Sequence, residues 1–161
     1  MTVAFDGGGT ARPNDIASLE RDIGHRLPKD YLAFVSKFDG ATPESNSFQI
    51  GSSGLGGVTD FIPVSQIASA SAGIENLPRG AFPAAHAEGG NYVLIDASND
   101  GRVLFWDHEV PDDMVTVSGS FGDFLSLLQP FDVKSVKLDP AQVLSAWIDP
   151  EFLKKFGPKK G

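Results

Sequence analysis

Two runs of strand-forming residues, separated by a five-residue turn, constrain the fold of this 161-residue chain most strongly. The first run, residues 91–96, reads Asn-Tyr-Val-Leu-Ile-Asp, and the second, residues 102–107, reads Arg-Val-Leu-Phe-Trp-Asp. Both are rich in β-branched and aromatic residues, which favour strands. The Asp100–Gly101 pair between them is a strong hairpin signal. The sequence therefore predicts an antiparallel β-hairpin in the middle of the chain.

Helical periodicity dominates the part of the chain that precedes the sheet. Apolar residues recur at helical spacing over 16–23 and again over 31–38. Asn14 or Asp15 is suited to cap the first helix, Gly24 to end it, and Pro28 to begin the second. We expect an N-terminal helical hairpin after an irregular lead-in over residues 1–13.

Further short elements complete the predicted fold. Phe121 begins a closing amphipathic helix, with Ser118 or Ser120 as its cap. Because it contains Pro83, the strand over 82–86 is expected at a sheet edge. The other predicted elements are strands over 47–50, 59–64 and 114–117, a flexible glycine-rich loop over 51–57 and a weak helix over 65–77. The predicted class is α+β: a twisted, mostly antiparallel sheet flanked by helices.

Charge and composition exclude several classes of protein. Formal net charge is −8, with a sequence pI of 4.7, which argues against direct nucleic-acid binding, since phosphate contacts need an excess of Lys and Arg. The chain has no cysteine, which excludes disulfides and thiolate chemistry. No apolar run approaches the ~20 residues of a membrane span, and the N-terminus lacks a signal peptide pattern. We expect a cytoplasmic domain with no membrane partner.

No segment carries a specific catalytic or metal-binding motif. The glycine loop at 51–57 lacks the Lys and Ser/Thr that a phosphate loop requires. His86 and His108, with nearby carboxylates, match no zinc signature, and Ser120 is better placed as a helix cap than as a nucleophile. A hydrolase is a remote alternative. It would require a deep pocket that contains both histidines with convergent carboxylates.

The most marked charge feature is an acidic group between residues 96 and 113. It falls at predicted turns, opposed by Arg102 alone, and loops on a rigid sheet are common binding sites. A solvated rim is the structural alternative. Aromatic side chains concentrate binding energy, and Trp106 lies within this group. We expect a partner surface formed by Asp96, Asp100, Trp106, Asp107, Glu109, Asp112 and Asp113.

Four segments, in this order, resemble the SUKH superfamily, and specifically its Smi/Knr-type domain. They are the helical opening Ile16–Gly40 with its Leu27-Pro-Lys-Asp-Tyr31 motif, Phe82–Asp96 with its Gly89–Gly90 turn, the strand Arg102–Glu109, and the closing Ser120-Phe-Gly-Asp-Phe-Leu. The resemblance covers residues 14–130 and implies the α+β fold predicted above. Residues 131–161 form a C-terminal extension, expected to be helical and packed on the domain, with a basic end.

The resemblance also implies a function without catalysis. It brings no catalytic residue, cofactor or metal, and makes Pro28, Gly40, Gly89, Gly90 and Asp96 structural. Bacterial members are commonly immunity proteins that bind and neutralise a cognate toxin, often a nuclease. The partner expected here is therefore a protein, namely a basic toxin domain. The alternative is a cytoplasmic regulatory or scaffold protein with the same fold and a different partner.

Overall fold

The computed structural model describes residues 4–50 and 54–129, and this part of the chain is α+β. The helices are α1 (Pro13–Ile23), α2 (Lys29–Phe38), α3 (Ile67–Ser71) and α4 (Phe121–Leu127), with a 3₁₀ helix at Val64–Gln66. The strands are β1 (Phe5–Asp6), β2 (Thr42–Pro43), β3 (Ser47–Ile50), β4 (Gly54–Phe61), β5 (Ala81–Ala87), β6 (Asn91–Asp96), β7 (Arg102–Trp106) and β8 (Val115–Ser118).

Strands β3 to β8 form one antiparallel sheet in which each strand pairs with its neighbours in sequence. Strands β1 and β2 form a separate two-stranded sheet. The predicted central hairpin is confirmed as β6 and β7, with Tyr92 opposite Trp106 and Asp96 opposite Arg102. In such a meander, consecutive turns lie at opposite ends of the sheet, and this alternation decides where each loop residue is placed.

An aromatic core fills one face of the six-stranded sheet, here called the inner face. Tyr31 of α2 packs on Phe82 of β5 and on Phe121 of α4, with ring centroids 5.1 and 5.3 Å apart. Phe34 and Phe124 extend the same buried cluster. Full burial of one such side chain stabilises a fold by about 1.5–3 kcal/mol. These contacts therefore hold α2 and α4 on the inner face.

A smaller apolar cluster covers part of the opposite, outer face. Leu94 and Leu104 project there from β6 and β7, and Trp106 is only 3% exposed. The segment that links α3 to β5 lies over them through Ile74 and Leu77. The indole Nε1 of Trp106 donates to the backbone oxygen of Glu75 at 3.3 Å. A loop thus buries side chains that helices do not reach.

The register of the sheet shifts at three places, between β4 and β5, between β5 and β6, and between β7 and β8. In β4, Val58 pairs with Ala87 and Asp60 with His86, so Thr59 is an extra residue. In β5, a second bulge lies between Pro83 and Ala85. The expectation that the strand over 82–86 is an edge strand is wrong, because β5 lies in the interior of the sheet. Its proline sits next to a bulge, where the ladder of hydrogen bonds is interrupted.

The N-terminal helices form where the sequence predicts, with different packing and a different start. Arg12 is the N-cap of α1 and Pro13 its first residue, so Asn14 and Asp15 lie inside the first turn. Helix α1 contacts the 3₁₀ helix and α3, whereas α2 contacts α4. The structure does not confirm the predicted hairpin in which α1 and α2 pack on each other.

Three other sequence predictions differ from the structure. Residues 54–57 of the predicted glycine loop belong to β4, where β3 pairs with them. The helix expected over 65–77 ends at Ser71, after which the chain forms the loop over the outer face. The lead-in contains β1, and Phe5 packs on Phe34 at 5.1 Å between ring centroids.

Some predictions fall outside the described part of the chain. These are the C-terminal extension over 131–161 and the helical structure expected for it. At the closing helix, Ser120 is the N-cap, and its hydroxyl accepts from the backbone N–H of Asp123 at 3.1 Å. Among the helices that the structure describes, none combines the length and the apolarity needed to cross a membrane.

Candidate partner-binding surface

The structure separates the acidic group predicted as one surface into two ends of the sheet. Asp96 and Asp100 lie at the β6–β7 turn, whereas Asp107 to Asp113 lie in the β7–β8 loop. The Asp96–Arg102 and Tyr92–Trp106 pairs are four residues apart along the hairpin, which is about 14 Å at the rise of an antiparallel strand. The two groups therefore cannot face one small contact area.

The end that contains Asp100 is not acidic. A cleft of about 470 Å³ lies there between the start of α2 and the β6–β7 turn, lined by Arg26, Pro28, Lys29, Asp30, Ala97, Asp100 and Gly101. Arg79 and Arg102 adjoin the same turn through Ser98 and Asp96. Arg26 and Lys29 line the cleft with Asp30 and Asp100, and Arg102 pairs with Asp96, so positive and negative charges balance at this end. A strongly basic partner therefore gains no charge complementarity at this end.

Asp96 does not belong to an exposed surface, which corrects its place in the expected site. Its side chain is 2% exposed and accepts hydrogen bonds from Ser98, Asn99 and Arg102. Burial alone would raise the pKa of Asp96, but these hydrogen bonds and the charge of Arg102 outweigh it and lower the pKa. The carboxylate is ionised and committed to the turn, which agrees with the structural role implied by the family resemblance.

Trp106 also needs correction as a contact residue, because the loop over the outer face buries it. Alternation places Phe105 and Trp106 on opposite faces, as expected, with Phe105 in the inner core. Two apolar residues, Ile74 and Leu77, provide the cover over Trp106. Nothing in the spacing of the sequence indicated that this segment would fold back over β7.

The remaining four residues of the expected site lie together, and the carboxylate of Glu75 joins them. We call this set the acidic end: Glu75, Asp107, Glu109, Asp112 and Asp113. The side-chain amide of Asn76 donates a hydrogen bond to the carboxylate of Asp112. Because Asn76 follows Glu75 directly, this bond places Glu75 beside the β7–β8 loop. Among the described residues, no Lys or Arg forms an ion pair with any member of the acidic end.

The β5–β6 turn, which contains Glu88, lies beside the β7–β8 loop. Asn91 begins β6, and its side-chain oxygen accepts from the backbone N–H of His108 at 3.1 Å and lies 2.8 Å from the Nδ1 of His108. Glu88 was absent from the predicted site because it is distant in sequence from residues 107–113. The alternation of turns in a meander is the signal that could have found it.

The β7–β8 loop has a defined shape. The carboxylate of Asp107 accepts from the backbone N–H of Glu109, and its carbonyl accepts from Val110 at 3.0 Å. A second turn follows, in which Asp113 donates to the carbonyl of Val110 at 3.0 Å. Val110, at the junction of the two turns, is 50% exposed. The loop therefore presents one apolar side chain surrounded by carboxylates, on a backbone that its own hydrogen bonds organise.

The histidines are placed on the surface rather than in a pocket that converges on substrate. The side chains of His86 and His108 are 44% and 48% exposed. Their side-chain hydrogen-bond partners are Asp60 and Asn91. No group of three or more His, Cys, Asp or Glu within the described residues is arranged to hold a metal ion.

Comparisons with known proteins agree with this fold. A family model for the SMI1 / KNR4 family (SUKH-1) matches residues 10–127. The chain is also similar to the SPbeta prophage-derived uncharacterized protein YokK of Bacillus subtilis (strain 168), with 27% identity over 174 residues that cover 86% of this chain and 84% of that protein. The family is generally non-catalytic, includes immunity proteins, and binds protein partners. The match spans most of the sheet and the helices that pack on it, and the chain belongs to the SMI1/KNR4 (SUKH-1) family.

Proposed function

We propose that this chain is a non-catalytic immunity protein that binds and neutralises a basic protein toxin in the cytoplasm, with the acidic end as its principal contact. One observation carries the proposal: five carboxylates without Lys or Arg partners among the described residues lie at one end of the sheet, and the exposed Val110 belongs to the same loop as four of them. Family membership supports a binding role.

A nuclease is the class of toxin that suits this end best. Nucleases that bind phosphate backbones have an excess of Lys and Arg on the binding surface. An inhibitor that places carboxylates against those side chains competes with the nucleic acid. An apolar side chain at the centre of a polar contact is the typical position of an anchor. Val110 fills that role in the proposal, with Asp107, Glu109 and Asp112 around it.

Electrostatic attraction of this kind acts mainly on the rate of association. Complementary charge can raise association rates by about 10- to 1,000-fold, and the gain falls as salt is added. The contrast between the two ends favours approach with the acidic end leading. We therefore expect association with the toxin to be fast at low ionic strength and to slow steeply as salt is added.

Co-expression with a candidate basic toxin domain, sought among the proteins encoded beside this chain, tests the proposal. We expect this chain to restore growth and to co-purify with that protein. Rescue of growth separates an immunity protein from a regulatory or scaffold protein of the same fold, which would bind its partner without relieving toxicity. Absence of both rescue and co-purification would contradict the proposed function.

Charge-reversal variants locate the contact. Asp112→Lys/Asp113→Lys should slow association with the toxin by roughly tenfold or more and weaken its salt dependence. Asp22→Lys/Asp100→Lys changes the net charge equally and should leave the rate within about twofold, since Asp100 lies at the other end of the sheet and Asp22 is an exposed residue of α1. Equal losses in the two variants would show that net charge, rather than the acidic end, governs binding.

A further inference from the structure

A second feature on the outer face is a row of directly opposed side chains that crosses four strands. The register places Asp60 of β4 opposite His86 of β5, His86 opposite Tyr92 of β6, and Tyr92 opposite Trp106 of β7. The Nδ1 of His86 lies 2.6 Å from the Oδ1 of Asp60. Ring centroids of His86 and Tyr92 are 5.5 Å apart, and those of Tyr92 and Trp106 are 5.8 Å apart.

The β4 bulge is what turns Asp60 to this face. Val58 points into the inner core, and in a regular strand the side chain two residues later would follow it. The extra residue, Thr59, shifts the alternation so that Asp60 meets His86 while Phe61 returns to the core. Bulges of this kind often re-aim a side chain at a functional site.

Exposure increases along the row in one direction. Trp106 is buried beneath the segment that links α3 to β5, Tyr92 is half-buried, and the side chains of His86 and Asp60 are 44% and 43% exposed. The row thus begins in the small outer core and emerges onto open sheet. Its exposed part continues towards the β5–β6 turn and therefore towards Glu88.

The carboxylate of Glu88 lies on the same face. A Cβ atom added at Gly57 would lie 2.7 Å from the Cδ of Glu88, so the carboxylate rests over the bare backbone of that glycine. Gly57 faces outwards because its neighbours Gly56 and Val58 face the inner core. Two carboxylates, from Asp60 and Glu88, therefore flank His86 on the outer face.

The free polar atoms of this face are almost all hydrogen-bond acceptors. A carboxylate only accepts, so the Nδ1 of His86 donates to Asp60, and a ring that carries this single proton offers its Nε2 as an acceptor. The second oxygen of Asp60 and both oxygens of Glu88 add further acceptors. Among the described residues no Lys or Arg pairs with these carboxylates. The ring of Tyr92 supplies an apolar flank.

We propose that this face, formed by Asp60, His86, Glu88 and Tyr92, is a recognition site for an arginine side chain of the protein partner. A guanidinium group carries five N–H donors, no acceptor and a flat surface that packs on aromatic rings, so it matches a face of acceptors beside a tyrosine. A lysine fits less well because its charge is compact and strongly hydrated. The inference rests on the proposed function, since the arginine belongs to the basic partner.

Titration of the full chain with a blocked peptide, acetyl-Gly-Arg-Gly-amide, tests the site without the toxin. We expect the NMR signals of His86 and Tyr92 to shift and to saturate in roughly the millimolar to ten-millimolar range. A peptide with citrulline in place of arginine keeps the shape and loses the charge, and it should bind about fivefold or more weakly. Equal shifts with both peptides, or no shift at these two residues, would overturn the inference.

Matched variants separate this face from the acidic end. Asp60→Asn/Glu88→Gln removes two charges from the face and should weaken peptide binding about fivefold, with an otherwise unchanged amide spectrum. Glu109→Gln/Asp113→Asn removes two charges from the acidic end and should leave peptide binding unchanged. If the second pair of substitutions abolishes the NMR shifts of His86 and Tyr92 as fully as the first, nonspecific electrostatic attraction explains the peptide binding, and the assignment of an arginine site to this face is wrong.

The partner itself separates the two proposals. Asp60→Asn/Glu88→Gln should also speed dissociation of the toxin complex by about fivefold or more. A complex that keeps the wild-type dissociation rate overturns the arginine site and leaves the proposed function intact. A wild-type chain that neither binds nor neutralises the toxin overturns the proposed function, while the peptide titration still decides whether this face recognises a guanidinium group.

Discussion

Replacement of Asp96 by Asn should destabilise the fold strongly, although the two side chains have the same shape. One oxygen of Asp96 accepts from the backbone N–H and the hydroxyl of Ser98, at 3.1 and 2.6 Å. The other accepts from Asn99 at 3.0 Å and from Arg102 at 3.3 Å. An amide keeps one acceptor oxygen and presents an NH₂ group to the other pair of donors. Two of the four hydrogen bonds are therefore lost.

The size of the effect follows from those contacts. A hydrogen bond to a charged group contributes about 1.5–3 kcal/mol, so two of them contribute about 3–6 kcal/mol. Asn is less costly to bury than a carboxylate, and Arg102 is 41% exposed and recovers its hydration, which reduces the loss. We expect the free energy of unfolding to fall by about 2–3 kcal/mol, which is a decrease in Tm of about 5–10 °C for a chain of this size.

Urea unfolding followed by far-UV circular dichroism measures this difference, and pH provides an independent check. Because the folded-state pKa of Asp96 is lowered, its contribution is complete above the unfolded pKa of about 4 and is lost as pH falls through the folded pKa. The difference in the free energy of unfolding between wild type and Asp96→Asn should therefore become smaller below pH 4. Asp100→Asn, the same chemical change at an exposed position of the same turn, should alter stability by less than about 0.5 kcal/mol. If the free energies of unfolding of wild type and Asp96→Asn differ by less than about 0.5 kcal/mol, or if their difference does not change with pH, the reasoning is refuted.

Two further predictions concern a half-buried carboxyl group and a crowded turn. Burial and the charge of Asp15 raise the pKa of Asp39, and the hydrogen bond from the backbone N–H of Val64 only partly opposes them. Protonated Asp39 therefore stabilises the fold at low pH, and this stabilisation is lost as pH rises through the folded-state pKa. Asp39→Asn keeps the acceptor and should stabilise the fold more at pH 7 than at pH 3 in urea unfolding, and a gain that is equal at both pH values would contradict this. Gly101→Ala should lower the free energy of unfolding by about 2–4 kcal/mol, because φ is +73° and its Cβ would lie 2.9 Å from Pro28. Gly24→Ala, at φ +74° with open space around its Cβ, should lower the free energy of unfolding by about 1–2 kcal/mol. Equal decreases for Gly24→Ala and Gly101→Ala would show that crowding by Pro28 contributes nothing.

The sequence predicts local elements of this fold well because they depend on local patterns. Strands β6 and β7, the helices α1 and α2, and the Ser120 cap all follow from periodicity and capping chemistry. The inner position of β5 did not follow, because Pro83 disfavours it and only the adjacent bulge makes it possible. The position of a bulge depends on which strands pair, and no single segment contains that information.

The candidate site was predicted only in part, for a reason of topology. Acidic residues close in sequence were taken as one surface, but consecutive turns of an antiparallel meander lie at opposite ends. Asp100 and Asp112 are therefore far apart, whereas Glu88 and Asp107 lie at the same end. Burial of Trp106 depends on a loop that contributes two side chains to the outer cluster, Ile74 and Leu77, and such a weak pattern gives no indication of where the loop packs.

The bulge at Thr59 adds one residue to β4, and this changes the phase in which its side chains alternate between the two faces of the sheet. Upstream of it, even-numbered residues such as Val58 face the core, and downstream of it odd-numbered ones such as Phe61 do. Substitution of Thr59 leaves this phase intact. Deletion of Thr59 would remove the bulge and leave Val58 opposite Ala87 and Asp60 opposite His86, with Asp60 still on the outer face. The row therefore depends on which residues pair between β4 and β5, and not on the identity of the bulged residue.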